Sequence, residues 1–152
     1  MVAIDESECS YHALEWALDN LSSDALLVLL NVQRFPTPSH VSASAACPPV
    51  TKYIFVATAP ELVPSLQEHQ KKVSLALLER AKKICCKNGV VPETYTEVGD
   101  PKEAICSAIE KHKINLLIVG THGKGVLRRI LLGSISNYCT NNAKCPVLVV
   151  KK

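Results

Sequence analysis

The sequence predicts an α/β fold built on a five-stranded, doubly wound parallel sheet with helices on both faces. Short apolar runs alternate with segments of helical period along the chain. Runs such as "ALLVLLNV" (25–32) and "INLLIVG" (114–120) lack the polar alternation of a half-exposed strand. They suit parallel strands buried on both sides. A third observation concerns position. A loop with four of the six glycines, residues 119–137, follows the second of those runs, where such sheets bind ligands.

The elements follow in order. "MVAID" (1–5) reads as a first strand, cut short at its start. "SYHALEWALDNL" (10–21) places Leu14, Ala17, Leu18 and Leu21 on one helical face. Residues 25–32 form strand two. Residues 34–64 hold six of the nine prolines without a clear period, and are read as a long, partly disordered excursion within a single domain spanning 1–152. Helix resumes at Ser65, where Ser65 and Glu68 match a capping box ahead of Val73, Leu77, Ala81 and Ile84. Asn88–Gly89 stops it.

"VPETYTEV" (91–98) is strand three. Asp100, Pro101 and Glu103 stand as N-cap, N1 and N3 of a helix presenting Ala104, Ile105, Ala108 and Ile109. Residues 114–120 make strand four. Ser134 or Ser136 caps a last helix ending near Ala143, and "CPVLVVKK" closes the chain as strand five. Crossovers are right-handed, so helices on both faces require a sheet that winds outward in two directions, in the order 3-2-1-4-5. This is a Rossmann-like arrangement. Its reversal lies between strands one and four, so ligands are expected beyond Asp5 and Gly120.

Composition narrows the function. A net charge of +3 and 5% aromatic residues give little to hold or stack nucleic acid. No apolar run reaches membrane-span length and no signal-peptide pattern opens the chain, which points to the cytoplasm. The seven cysteines include no CxxC and no Cys/His ligand spacing, so no structural metal site is expected. Cys106 and Cys139 fall in helical patterns as small apolar residues. Cys85 and Cys86 could respond to oxidants, yet neighbours on a helix point apart.

The loop "VGTHGKGVLRRILLGSISN" (119–137) contains no acidic residue. A basic, glycine-rich loop after a strand can cradle phosphate or serve as an ordinary mobile connection. Two phosphate signatures fail. Gly120 and Gly125 have Walker A spacing, but Val126 and Leu127 replace the lysine and hydroxyl. Gly123 and Gly125 begin a dinucleotide fingerprint, but Arg128 occupies its third glycine position.

What fits is G-x2-G-x9-G-S, at Gly120, Gly123, Gly133 and Ser134. This resembles the ATP-binding pattern of the universal stress protein family. "VAIDESECSYHALEWALDNL", "VGDP" (98–101) and the closing strand resemble its small plant members.

The resemblance implies that Ala3, Ile4 and Asp5 line a nucleoside pocket, with Asp5 accepting from the ribose hydroxyls. An N-cap role suits Asp5 equally. Val32 would pack on adenine, Val98 and Gly99 would lie on the purine edge, and Val119 and Gly120 would contact the sugar. Gly123 and Gly133 would leave room for phosphates, and Ser134, Ile135 and Ser136 would donate to them. His122, Lys124, Arg128 and Arg129 add nearby charge, although Arg128 and Arg129 equally suit a solvated face.

The implied ligand is ATP, or AMP or another adenine nucleotide, with Mg2+ bound through the phosphates. The implied role is a nucleotide-dependent stress-response or signalling module, homodimeric through residues 146–151. A slow ATP hydrolase and a nucleotide-independent, chaperone-like interaction protein are the rival readings.

Overall fold

The computed structural model describes residues 1–22, 24–34, 62–122 and 132–152. Most of the proline-rich 34–64 stretch, and Gly123, Lys124, Arg128 and Arg129, lie outside the described residues. Among the described residues, nine elements alternate: β1 (Val2–Ala3), α1 (Glu8–Asn20), β2 (Val28–Gln33), α2 (Leu62–Lys87), β3 (Glu93–Val98), α3 (Pro101–Lys111), β4 (Leu117–Gly120), α4 (Ser134–Asn142) and β5 (Val147–Val150).

All strands pair in parallel in the order β3-β2-β1-β4-β5, as the alternation of apolar runs and helices requires. Val2 sits in register with Leu29 on one side and Ile118 on the other, so the shortest strand is the central one. Alternate residues of each strand feed opposite layers. Val2, Leu29 and Ile118 pack with Ala13, Leu14 and Ala17 of α1 and with Leu78, Ala81 and Cys85 of α2. Leu30, Leu117 and Val119 pack against Ile105, Ala108 and Ile109 of α3 and Cys139 of α4. Two cores on one sheet explain why its strands read as nearly continuous apolar runs.

Three helix starts differ from expectation. Ser7, not Asp5, is the N-cap of α1, accepting from Ser10 N–H. α2 begins at Leu62, so Pro64 falls in its first turn, where proline costs no hydrogen bond, and Ser65 lies inside the helix rather than capping it. Its buried stripe runs through Ser74, Leu78, Ala81 and Cys85, with Val73, Leu77 and Ile84 half-buried beside it. The shift follows from Ser74, a polar residue that is buried because it is hydrogen-bonded. At α4 the N-cap is Gly133 rather than Ser134 or Ser136, and no side chain caps it. The start of α3 is as expected, with Asp100 accepting from Lys102 N–H and Pro101 at the first position.

Candidate functional site

The carboxyl ends of β1, β2 and β4 open into a cavity of about 670 Å³, which is within the usual size range of small-molecule sites. It sits at the reversal of strand order. From the first strand come Ala3, Ile4 and Asp5; from the second, Val32; from the fourth, Val119 and Gly120, followed by His122. Gly133, Ser134, Ile135 and Ser136 close the side formed by α4. Val98 and Gly99 lie outside this lining, and α3 contributes Pro101 and Ile105 instead.

Asp5 arrives at the cavity because β1 ends two residues before it. Ile4 N–H still donates to Leu30 O at 2.8 Å, extending the pairing by one residue. Asp5 then turns the chain: its Oδ1 accepts from Ser7 N–H at 2.9 Å and from the Ser7 hydroxyl. Ser10 holds the other side, accepting from Asp5 N–H at 3.2 Å and donating to Asp5 O at 2.9 Å. The carboxylate is therefore fixed by one oxygen. Among the described residues, Oδ2 has no hydrogen-bond partner.

On the opposite side, Thr121 organises the start of α4. Its N–H donates to Val150 O at 3.1 Å, and its carbonyl accepts from Gly133 N–H at 2.6 Å. The same carbonyl accepts from the Ser136 hydroxyl at 3.0 Å, which also bonds Gly133 O at 3.0 Å. Ser136 is thus spent on holding the loop ends together. A Cβ on Gly133 would stand 2.8 Å from Thr121 O, so the glycine is needed for this closure.

Unlike α1 and α3, α4 lacks a side-chain cap. Its first N–H groups keep their hydrogen-bonding capacity, and the helix dipole adds positive potential there. Chemically, one end of the cavity offers a carboxylate acceptor and the other offers amide donors to an anion.

Sequence reasoning missed the α2 wall, formed by His69, Gln70, Val73, Ser74 and Leu77. It also missed Asn31, which is buried in β2, donates to Ile4 O at 2.7 Å and accepts from Ser74 Oγ at 2.6 Å. A lone asparagine inside an apolar run was the available signal.

Comparison with known proteins decides the family. The profile described as "Universal stress protein family" matches residues 1–151. The chain belongs to the universal stress protein family. Universal stress protein YxiE of Bacillus subtilis is 31% identical over 99% of this chain and 97% of its own. A universal stress protein family structure from Arabidopsis thaliana, with AMP bound, superposes with a TM-score of 0.66. It shares 27% identity and covers all of this chain and 90% of its own. A universal stress protein structure in complex with cAMP has a TM-score of 0.65 and 25% identity, covering 98% of this chain and 93% of its own.

Adenine mononucleotides therefore occur in structures that share this family's fold. Among the described residues no group of three or more His, Cys, Asp or Glu could hold a metal ion. No helix among them is long and apolar enough to cross a membrane.

Proposed function

We propose that this universal stress protein binds an adenine nucleotide, ATP above all, in the cavity between β1, β4 and α4. It acts as a nucleotide-dependent stress-response or signalling module in the cytoplasm. One observation carries the reading: the cavity at the strand-order reversal joins a partly engaged carboxylate, Asp5, to an uncapped helix N-terminus, α4. Related structures with AMP and with cAMP support the ligand class.

In this reading the free Asp5 oxygen accepts from the ribose hydroxyls. Ala3, Ile4 and Val32 form the apolar bed of the base, with Val98 and Gly99 beyond its edge. Val119 and Gly120 flank the sugar. The N–H groups of Ser134, Ile135 and Ser136 take the phosphates, with Gly123 and His122 beside them, and Mg2+ binds through the phosphate oxygens. The second copy of a homodimer pairs along residues 146–151.

Mass spectrometry of small molecules released from the purified, denatured protein tests this directly. An adenine nucleotide, or micromolar ATP binding by calorimetry (roughly −8 kcal/mol), is the expected result. Absence of both would overturn it. Release of ADP with turnover would favour the hydrolase reading.

A further inference from the structure

Asn31 lies in the middle of β2, where neighbouring positions are leucine and valine, yet it is only 7% exposed. Ser74 on α2 is 2% exposed. A buried amide and hydroxyl persist only when hydrogen-bonded. Here both are, and to each other: Ser74 Oγ donates to Asn31 Oδ1 at 2.6 Å, while Asn31 Nδ2 donates to Ile4 O at 2.7 Å. The chain of contacts runs from α2 through β2 to the end of β1, and both side chains line the cavity.

The location matters because β1 is only two residues long. Past Ala3 the ladder cannot by itself fix the chain, and Ile4 is held by separate bonds at its two ends. Its N–H goes to Leu30 O at 2.8 Å, and its C=O is taken by Asn31. The next residue is Asp5. The Ile4 carbonyl can only accept, so it is Nδ2 that faces it, and the Ser74 hydroxyl donates to the Oδ1 left at the other end of the amide. Without Ser74 the buried Oδ1 loses its partner, and nothing from α2 then holds the amide against the Ile4 carbonyl.

We propose that Asn31 and Ser74 are positioning residues for the nucleotide. They lock the Ile4 carbonyl so that the Asp5 carboxylate is presented to the ribose hydroxyls. The proposal rests on the nucleotide reading above and adds to it a route by which α2, which touches neither sugar nor phosphate in that reading, controls sugar recognition.

The experiment titrates the full chain by calorimetry with AMP and with its 2′,3′-dideoxy analogue, which lacks the hydroxyls Asp5 would bind. Wild type, Ser74→Ala and Asn31→Ala are compared, with thermal melts alongside. Loss of a positioned hydrogen bond should weaken AMP about tenfold in either variant, and the dideoxy analogue by less than about twofold. A general packing defect would lower both affinities by the same factor. That result, or unchanged AMP affinity in folded Ser74→Ala, overturns the positioning role while leaving nucleotide binding in place. Wild type that binds neither ligand overturns the positioning role, and if ATP in the same cell also fails to bind, the nucleotide reading falls with it. Ser74→Ala removes only one oxygen, so it decides the matter even if Asn31→Ala does not fold.

Discussion

The backbone of Gly120 lies directly against that of Cys9. A Cβ at Gly120 would stand 2.6 Å from the Cys9 carbonyl carbon and oxygen and 2.8 Å from its Cβ. The glycine at the end of β4 therefore sets how closely the first turn of α1 can approach the sheet. That approach in turn brings Ser7 and Ser10 over Asp5.

Gly120→Ala should accordingly destabilise the fold. The obstructing atoms are main chain and cannot rotate away, so strain of roughly 1–3 kcal/mol is expected. Urea unfolding should show a lower midpoint at an unchanged slope. A variant as stable as wild type would mean that α1 can move outward freely.

At Gly133 the same steric argument acts on the α4 side. A methyl group would press on Thr121 O, the acceptor shared by Gly133 N–H and the Ser136 hydroxyl. Gly133→Ala should shift the start of α4 and misplace the amides proposed for phosphate. ATP affinity should fall about tenfold, the scale of one hydrogen bond to a charged group. Calorimetry showing equal affinity would detach α4 from the phosphate site.

The strand order was legible because apolar runs and helix periods alternate, and because Asp100–Pro101 marks a helix start that the structure keeps. The site was legible only where a local pattern encodes it. Gly120 and Gly133 stand out in the sequence, yet what each accommodates (Cys9 in one case, the Thr121 carbonyl in the other) comes from segments distant in the chain. Ser74 and Asn31 were hidden for the same reason: each reads as an isolated polar residue until a partner 43 positions away satisfies it. Helix caps failed where two candidates compete locally, as Asp5 and Ser7 do at α1.

The cysteines should respond unequally to thiol reagents. Cys85 is buried and Cys86, beside it on α2, is exposed. Burial pushes the Cys85 thiol up to about 11 and the Cys139 thiol up to about 12. Labelling of native protein at pH 8 followed by peptide mapping should therefore modify Cys86 well before either. Because these folded values lie above the unfolded ones, their contribution to stability is complete below pH ~9 and falls away as pH rises towards the folded values. Denaturation should thus become easier through the alkaline range. Rapid native labelling of Cys139 would show that α4 opens readily.

The edge at β5 yields the last prediction. Pro146 O accepts from Leu117 N–H at 3.0 Å, and Val150 O accepts from Thr121 N–H at 3.1 Å. Residues of a strand alternate in the side to which their backbone groups point, so Pro146, Leu148 and Val150 serve the β4 ladder. Val147 and Val149 then direct their N–H and C=O groups outward. Their edge carries no charge between Pro146 and Lys151 to discourage pairing. An isologous contact needs one self-complementary strand, which this segment supplies. Val149→Pro deletes an outward donor while leaving the inward ladder to β4 intact, so it should convert a dimer to a folded monomer. Light scattering with circular dichroism checks both properties. A wild type that is monomeric at high micromolar concentration, or a folded variant that stays dimeric, would remove β5 from the interface.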